Sequence, residues 1–277
     1  MENRFNQLQA PPVFIVGAAR SGTTWVFDIF KSHPLVASVY ESWLFTPNNG
    51  LKVLVGDAHY PKKGSGLGRL VEHEIMIDHI REMAQSIMSY AIQDEHRYIV
   101  EKSPNHIFHH AFIREIFPDA KFIHVKRDGR DVCVSVNAAA NSWMPNWKNS
   151  FGKSIRTQAT SWKHVIQRAD ELRTSLGDDF LEVRYEELHD NPKAGYKQMF
   201  DFAGIPYDDT ILDMIFQKTD FETNYKGGND KFRRGGRVGD WKIQLSLLDK
   251  LRFHRAAWNE LIQQNYETDK RWWLRRS

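Results

Sequence analysis

Short apolar runs alternate along this chain with longer segments of helical periodicity. The first run is Val13–Val16, and apolar residues then recur at helical spacing from Trp25 to Phe30. Four further strand-like runs follow, with at least one helical segment between successive runs: Leu35–Val39, Arg97–Lys102, Lys121–Val125 and Phe180–Tyr185. Strands that alternate with helices are typical of parallel βαβ units. The pattern therefore predicts an α/β fold, a single domain with a central parallel sheet flanked by helices.

The remaining helices are predicted from apolar residues that recur every three to four positions. They are Val71–Gln93, His106–Phe117, Asp131–Ala140, Ile155–Leu176, a helix opened by Asn191 and Pro192, Ile211–Gln217 and Ser246–Tyr266. In the first of them, the apolar pattern is formed by Ile75, Ile80, Met83, Ile87 and Tyr90. Two glycine-rich stretches without periodicity predict loops at Thr46–Arg69, which we expect to be a lid, and at Asn224–Gly239.

Size and composition are those of an ordinary globular protein. The 277 residues suffice for one domain over 1–277, with 1–12 as a flexible N-terminus, and the net charge of +3 is too small to indicate a nucleic-acid partner. No stretch approaches about 18 apolar residues, so we predict no membrane span and expect a cytoplasmic protein. The single cysteine, Cys133, excludes an internal disulfide, and the 12 histidines show no metal-ligand spacing. The oligomeric state cannot be inferred from this pattern.

Candidate chemistry begins directly after the first predicted strand. From Gly17 to Trp25 a glycine-containing loop joins a buried strand to the start of a helix. In such a loop, backbone N–H groups and the positive end of the helix converge on an anion. The spacing from Gly17 to Gly22 matches the front of a nucleotide P-loop, but Thr23 stands where that motif needs lysine. With Arg20 as its cation, the loop is predicted to bind a phosphate or sulfate group. It is not predicted to bind a nucleoside triphosphate with Mg²⁺ in the usual way.

A second cationic turn, Lys126–Asp131, follows the fourth predicted strand. Within it Arg127 offers a guanidinium fork suited to a phosphate, and Ser135 adds a hydroxyl from the following helix. Taken alone, such a run also fits a solvated turn. A third basic segment, Phe232–Lys242, is rich in glycine and arginine, and taken alone it also fits a flexible surface loop.

Together these segments resemble the sulfotransferases that use 3′-phosphoadenosine 5′-phosphosulfate (PAPS). The phosphosulfate-binding loop of that family commonly reads Pro-Lys-Ser-Gly-Thr-Thr-Trp, and Ala19–Trp25 matches it with Arg20 in the lysine position. The family's Arg-Asp-Pro-x-Asp turn, with a serine eight residues after the arginine, is matched by Arg127 and Ser135. Gly129 takes the place of the proline.

The third family motif, Arg-Lys-Gly-x-x-Gly-Asp-Trp, is matched by Arg234, Gly236 and Gly239–Trp241, with Gly235 in place of the lysine. The resemblance implies that adenine is recognised by flat side chains, for which Trp25 and Tyr185 are candidates, although each also fits a plain core position. The implied cofactor-binding residues are Arg20, Ser21, Gly22, Thr23, Thr24, Trp25, Arg127, Ser135, Tyr185, Arg233, Arg234, Gly235 and Gly236.

The implied reaction is an in-line displacement at sulfur, which needs a base for the acceptor proton and cations for the leaving phosphate. The cation candidates are Arg20 and Lys102, the latter in a Glu-Lys-Ser sequence similar to that of carbohydrate sulfotransferases. Glu41 resembles the glutamate base of carbohydrate and tyrosylprotein sulfotransferases. His106 is nearest in type to the histidine base of phenol and steroid enzymes, although its position is shifted. Glu101 alternates with Lys102 and is expected to point to the other face of its strand.

The acceptor and two alternative functions stay open at this point. The Glu41 and Lys102 pattern favours a carbohydrate, glycolipid or small alcohol over a phenolic or steroid-like molecule. We expect the lid and the Trp-rich segment Asn141–Ser154 to shape the acceptor pocket. A P-loop kinase, with Asp128 as a Mg²⁺ ligand, and a non-catalytic nucleotide-binding module are the alternatives. We predict no metal cofactor.

Overall fold

The computed structural model describes residues 4–55, 71–150, 152–220 and 237–275. Five strands form one parallel sheet in the order β2-β3-β1-β4-β5. They are β1 Val13–Gly17, β2 Val36–Tyr40, β3 Tyr98–Lys102, β4 Lys121–Lys126 and β5 Phe180–Arg184. The predicted α/β class with a central parallel sheet is therefore confirmed, and each strand lies within one residue of its predicted bounds.

Helices connect the strands and continue after β5. They are α1 Thr23–Lys31, α2 His73–Ser89, α3 His110–Ile116, α4 Gly129–Asn141, α5 Ile155–Leu176, α6 Tyr185–Asp190, α7 Pro192–Ala203, α8 Asp209–Thr219, α9 Trp241–Gln244 and α10 Leu247–Gln263. Side-chain caps fix several of the starts: the Ser154, Asn191 and Asp208 side chains each accept a backbone N–H from the first turn of α5, α7 and α8. No helix in the described ranges is long and apolar enough to cross a membrane.

The sheet has a hydrophobic core on each face because successive side chains of a strand point in opposite directions. On one face Val13 and Ile15 of β1 pack with α1, α7 and α8. On the other face Phe14 and Val16 pack with a layer that includes α2, α4, α5 and α10. The sheet is thus covered on both sides, as expected for parallel strands with continuous apolar sequences.

The structure adds detail to two of the predicted helices. Of the apolar residues from which α2 was predicted, Ile80 is buried, but Ile75, Met83, Ile87 and Tyr90 are exposed. The helix packs through a second stripe of helical periodicity, Ile77, Ile80, Ala84 and Met88. The predicted helix His106–Phe117 begins as a 3-10 turn, Pro104–His109, before α3. Periodicity alone does not show which neighbour an element meets.

The order of the strands determines where a ligand binds. From β1 the chain moves to one side of the sheet, to β2 and β3, and it then crosses β1 to reach β4 and β5 on the other side. The loops after β1 and β4 therefore leave adjacent strands in opposite directions. In open α/β sheets, ligands bind at the carboxyl ends of strands at such a switch point. This edge carries both the loop after Gly17 and the turn that contains Arg127.

Candidate active site

A cleft of about 920 Å³ opens beside the loops that follow β1 and β4. Its volume lies within the range of roughly 300–1,000 Å³ that is usual for small-molecule sites. Two sets of side chains line it. The first, which we call the phosphate-loop group, is Gly17–Arg20 and Gly22–Trp25 with Arg127, Ser135 and Tyr185, whereas Ser21 is buried and does not line the cleft. The second, the aromatic group, is Tyr40, Trp43, Phe108, Trp143 and Trp147.

The loop after β1 has the conformation expected of an anion-binding loop. Gly22 precedes the first residue of α1 with φ 105°, and a Cβ atom at this position would lie 2.5 Å from the ring of Tyr185. Glycine is thus required both for the backbone conformation and for the close approach. Arg20 also has a positive φ, 70°. The N–H groups at the very start of a helix have no carbonyl partner in a preceding turn, so the start of α1 is suited to an anion at this end of the cleft.

Three predicted cofactor-binding residues meet beside this loop. The Arg20 Nε atom donates to Ser135 Oγ at 3.2 Å, and Arg127 Nη1 donates to the Arg20 carbonyl oxygen at 3.2 Å. The second Arg127 nitrogen, Nη2, donates to the carbonyl oxygen of Arg237 at 3.1 Å. Although Arg20 and Ser135 are separated by 115 residues, the adjacency of β1 and β4 places them in contact. The structure therefore joins the two cationic segments in one cleft.

Tyr185 and Trp25, the predicted adenine-recognising residues, lie next to each other. The Arg127 guanidinium carbon is 4.1 Å from the centre of the Tyr185 ring, and Trp25 meets that ring edge-on at 5.6 Å. Burial raises the pKa of the Tyr185 hydroxyl to about 12, so the ring is neutral at physiological pH. Trp25 also donates from Nε1 to the Thr219 carbonyl oxygen at 2.9 Å. Both rings line the cleft and are part of the core.

Of the third predicted segment, Arg233, Arg234, Gly235 and Gly236 lie outside the described residues. The described part of that segment, from Arg237 to Trp241, is held by the carboxylate of Asp131. Asp131 accepts hydrogen bonds from the backbone N–H of Gly239 at 2.7 Å and of Trp241 at 2.9 Å. Burial and the charge of Asp128 raise the pKa of Asp131, which these hydrogen bonds and Arg127 partly offset. Sequence reasoning assigned no role to this residue, although the second aspartate of the cationic turn was the available signal.

The other charged residues of that turn have structural partners. Arg130 is buried and donates to Asp128 at 2.6 Å and to Glu267 at 2.6 Å, and its guanidinium carbon lies 3.7 Å from the centre of the Trp241 ring. Asp128, the candidate Mg²⁺ ligand of the kinase alternative, also caps α4 by accepting from the Arg130 N–H. A Cβ atom at Gly129 would lie 2.4 Å from the Trp162 ring, which accounts for glycine at this position.

Glu41 and Lys102 form an ion pair at the ends of β2 and β3. Lys102 Nζ lies 2.5 Å from Glu41 Oε1 and 3.4 Å from Thr24 Oγ1, and it is 3.8 Å from the centre of the Tyr40 ring. The parallel register, which pairs Tyr40 with Lys102, brings the two charges together. The Lys102 side chain is fully buried, whereas about a third of the Glu41 side chain is exposed and lines the cleft.

Glu101 and His106 lie on the opposite side of β3. Glu101 is fully buried, and its Oε2 atom is 2.9 Å from His106 Nδ1. This agrees with the predicted orientation of Glu101. His106 is also fully buried, and it packs against Phe14 and Phe45. The structure does not bring His106 to the cleft, so of the two candidate bases only Glu41 lines it.

The aromatic group comes from three separate parts of the chain, around Tyr40, Phe108 and Trp143. Trp143 and Trp147 belong to the predicted Trp-rich segment, and their ring centres are 5.9 Å apart. The Arg20 guanidinium carbon lies 5.4 Å from the Trp143 ring centre, which links this group to the phosphate loop. Residues 56–69 of the predicted lid lie outside the described residues. Within the described ranges, no cluster of three or more His, Cys, Asp or Glu side chains could hold a metal ion.

Comparison with known proteins gives matches over most of the chain. The sequence profile of the sulfotransferase family matches residues 11–209. Protein-tyrosine sulfotransferase A of Caenorhabditis elegans is 27% identical over 208 residues, which are 73% of this chain and 52% of that protein. Protein-tyrosine sulfotransferase 1 of Danio rerio is 27% identical over 209 residues, 73% of this chain and 55% of that protein. The chain thus spans about half the length of the curated relatives it matches.

Solved structures share the fold at lower sequence identity. The mouse sulfotransferase SULT7A1 complexed with PAP superposes with a TM-score of 0.61 at 15% identity, covering 95% of this chain and 88% of that one. The sulfotransferase domain from the curacin biosynthetic pathway superposes with a TM-score of 0.60 at 17% identity, covering 95% of this chain and 100% of that one. The five-stranded parallel sheet with its flanking helices is therefore the fold of these proteins.

Proposed function

This chain belongs to the sulfotransferase family, and we propose that it transfers the sulfuryl group of PAPS to an acceptor hydroxyl, releasing 3′,5′-adenosine bisphosphate. One observation carries the proposal. The phosphate-loop group and Glu41 line one cleft, and the buried Lys102 joins them, since its Nζ atom is paired with Glu41 and lies 3.4 Å from Thr24 Oγ1 of the loop. An anion-binding loop beside a carboxylate and a buried ammonium is the arrangement that transfer of an anionic group to a hydroxyl requires.

The phosphate-loop group suits a nucleotide with two anionic ends. The loop N–H groups and Arg20 would hold the phosphosulfate, and Arg127 with Ser135 would hold the 3′-phosphate. One buried donor in this group, Arg127 Nε, has no hydrogen-bond partner among the described residues. A buried polar atom without a partner is costly, so donors of this kind fit an anionic ligand.

Glu41 is the base that we assign. Its carboxylate lines the cleft and would accept the proton of the acceptor hydroxyl as the oxygen attacks sulfur. Lys102 and Arg20 would stabilise the negative charge that develops on the leaving phosphate. Lys102 could also donate a proton to that oxygen, whereas arginine remains charged and is a poor proton donor. His106 has no part in this scheme, since it is buried against Glu101.

The acceptor that we propose is an alcohol on a carbohydrate, glycolipid or small molecule, bound against the aromatic group. Aromatic side chains pack well on the apolar face of a ring. A phenolic acceptor is the second candidate, because two relatives carry the name protein-tyrosine sulfotransferase. We also keep the cytoplasmic location expected from the sequence as part of the proposal, to be tested by cell fractionation.

The proposal is tested by incubating the protein with PAPS labelled in the sulfuryl group, a cell extract, and a panel of matched alcohols and phenols. A labelled product that appears with release of 3′,5′-adenosine bisphosphate supports the proposal and identifies the acceptor. Tight binding of adenosine bisphosphate with no labelled product from any acceptor would favour the non-catalytic module instead. Addition of a Mg²⁺ chelator should leave the rate of sulfuryl transfer unchanged, whereas it would abolish the activity of a P-loop kinase.

The assignment of the base is tested separately with Glu41→Gln. This change keeps the size of the side chain but removes its capacity to accept a proton. We expect kcat to fall by roughly 10²–10⁴-fold, the usual contribution of general base catalysis, while the Kd for adenosine bisphosphate stays within about twofold. A variant with a near-normal rate would remove Glu41 from the role.

A further inference from the structure

The carboxylate of Glu101 lies behind the reactive pair and holds the turn that carries Glu41. At Oε1 it accepts from the hydroxyl of Ser42 at 2.8 Å, from the backbone N–H of Ser42 at 3.3 Å and from the hydroxyl of Ser103 at 2.6 Å. Its Oε2 atom is 2.9 Å from His106 Nδ1. The side chain is fully buried. A buried carboxylate with this many hydrogen bonds has a fixed position, so the groups bonded to it are fixed too.

The turn that Glu101 holds has an unfavourable backbone conformation. Glu41 and Trp43, on either side of Ser42, have φ values of 41° and 55°, in the left-handed region that residues with a Cβ atom rarely adopt. Such conformations persist only where the surrounding structure imposes them, and they concentrate at functional sites. Both side chains line the cleft. The left-handed backbone therefore sets the directions of Glu41 and Trp43.

Besides bonds within the turn itself, from Leu44 to Ser42 and from Thr46 to Trp43, the turn is held by hydrogen bonds to β3 and its end. The Glu41 N–H donates to the Lys102 carbonyl oxygen at 2.7 Å. The Trp43 N–H donates to Ser103 Oγ at 3.4 Å, and that hydroxyl donates to Glu101. Ser42, between them, is bonded to Glu101 through both its N–H and its hydroxyl. Two of the three turn residues therefore depend on Glu101, directly or through Ser103.

His106 fixes the orientation of Glu101. Its ring meets Phe45 edge-on with centres 5.4 Å apart, and Phe14 at 6.3 Å. These contacts keep Nδ1 directed at the carboxylate. His106 is therefore bonded to Glu101, which in turn is bonded to Ser42, the residue next to Glu41. From this buried position His106 cannot reach an acceptor in the cleft.

We propose that Glu101, oriented by His106, is a positioning residue that directs Glu41 toward the acceptor and toward Lys102. The inference rests on the proposed function in one respect, that Glu41 is the base. Glu101 touches neither the cofactor nor the acceptor in this scheme. Loss of Glu101 should therefore lower kcat and leave cofactor binding intact, because the phosphate loop is built on β1 and β4.

The test compares Glu101→Ala with the conservative variant Glu101→Gln. Glutamine keeps an oxygen for Ser42 and Ser103 and an N–H that a neutral His106 Nδ1 accepts, so we expect its kcat to stay within about fivefold of wild type. Alanine removes all of these bonds, and a displacement of about 1 Å in a reactive group costs on the order of 10²-fold in rate. We expect a loss of about that size in kcat, with the Kd for adenosine bisphosphate within about twofold. A kcat for E101A near wild type, or equal losses in both variants, would overturn the proposal.

A matched pair elsewhere in the sheet controls for loss of stability. His124, also buried, lies 3.2 Å from the carboxylate of Glu182 and stacks on Phe180. His106→Phe and His124→Phe each remove the histidine of a buried histidine–carboxylate pair and fill its volume. We expect a tenfold or larger loss of kcat in H106F and less than a twofold change in H124F, both measured below their melting temperatures. Equal losses of kcat would show a general structural effect and would contradict the proposal.

Amide exchange measured by NMR tests the positioning role of Glu101 independently of any activity assay. The Ser42 N–H, which donates to Glu101, should exchange at least tenfold faster in E101A than in E101Q, and the milder Ser42→Ala can replace E101A should that variant not fold. Unchanged exchange would overturn the inference whether or not transfer is found. If E41Q instead stays fully active while Ser42 exchange responds as expected, the assignment of Glu41 as the base fails and the structural role of Glu101 stands.

Discussion

The phosphate-loop group and the Glu41–Lys102 pair lie beside the same cleft, which Glu41 lines and behind which Lys102 is buried, but the two regions are built in different ways. The first depends on contiguous sequence, because the glycines, the arginine and the helix start of Gly17–Trp25 follow one another along the chain. The second joins two residues 61 positions apart through the register of β2 on β3. The proposed anion-binding loop is therefore encoded by contiguous residues, whereas the Glu41–Lys102 pair forms only once the sheet has formed. Substitutions in the phosphate-loop group should therefore change mainly the affinity for the cofactor, and substitutions in the Glu41–Lys102 pair should change mainly kcat.

After Glu41→Gln, the largest effect that we expect comes from Lys102→Met, which removes the buried charge and keeps the length of the side chain. Loss of one group that stabilises developing negative charge typically costs about 10²–10³-fold in kcat. Single-turnover transfer from labelled PAPS measures this loss directly. Lys126→Met is the matched control, because Lys126 is also buried but pairs with Glu182 and Gln264 away from the cleft. A K102M rate within threefold of wild type would contradict the role of Lys102.

Next in size is the effect of Arg127→Ala on cofactor affinity. A hydrogen bond to a charged group contributes about 1.5–3 kcal/mol, and 1.4 kcal/mol is a tenfold change in affinity. We therefore expect the Kd for adenosine bisphosphate to rise by roughly 10- to 100-fold, measured by isothermal titration calorimetry, with a smaller change in kcat at saturating PAPS.

Arg130, three residues after Arg127, serves as a control for a purely structural effect. It is paired with Asp128 and Glu267 in the interior. Breaking a buried pair by removing one partner costs about 3–5 kcal/mol, so Arg130→Met should lower the free energy of unfolding by that amount. Equal effects of the two substitutions on nucleotide affinity and on denaturant unfolding would show that Arg127 is only structural.

A smaller loss is expected from Asp131→Asn. The amide keeps one oxygen for the N–H groups of Gly239 and Trp241 but turns its NH2 toward the other, so the segment loses one of two anchors. We expect the KM for PAPS to rise about tenfold, since one charge-assisted hydrogen bond is lost, with kcat changed less than threefold. An unchanged KM would show that this segment does not contribute to binding.

The same carboxylate predicts a pH dependence. Because burial and Asp128 raise its pKa, Asp131 takes up its proton at a higher pH than the usual value of about 3.9. As the pH falls, the wild-type protein should lose the charged acceptor, and its KM for PAPS should rise. In D131N, which has no proton to take up at this position, the KM should change less over the same range. Parallel pH profiles in the two proteins would contradict this assignment.

The smallest effect is expected in the aromatic group. Aromatic pairs contribute about 0.5–1.5 kcal/mol beyond the area they bury, so Trp143→Ala should raise the KM for the acceptor by a few-fold to tenfold. Steady-state kinetics at saturating PAPS measures this change. Trp258→Ala removes a tryptophan that packs on His254 and Lys270 away from the cleft and should leave the acceptor KM unchanged. Equal acceptor KM values in the two variants would contradict the role of Trp143.

Sequence reasoning found the parts of the site that depend on local chemistry. Arg20, Arg127 and Ser135 were predicted to bind one cofactor, and the structure places them together. This could be inferred because each lies in a motif at the carboxyl end of a strand, and such ends meet at one edge of a parallel sheet. The opposite orientations of Glu101 and Lys102 followed from the alternation of side chains along a strand. These inferences need only periodicity and spacing.

Whether a charged residue lines the cleft or is buried in the interior could not be predicted from the sequence in the same way. Arg127 and Arg130 belong to one short run, yet the first lines the cleft and the second is buried among Asp128, Glu267 and Trp241. The partners of Arg130 come from distant segments near the end of the chain. The two apolar stripes of α2 pose the same problem, since both have helical periodicity and only one meets the core.

The amino-acid sequence by itself thus determined the alternation of strands and helices and the glycine-containing loop that carries Arg20 to the start of α1, since these depend on residues close together in the chain. Only the tertiary structure decided that Glu41 lines the cleft and pairs with the buried Lys102, that His106 is buried against Glu101, and that Asp131 anchors the segment before α9. The physical reason is that the direction and the partner of a side chain depend on which strands are neighbours and in what register, and both are determined by packing over the whole sheet.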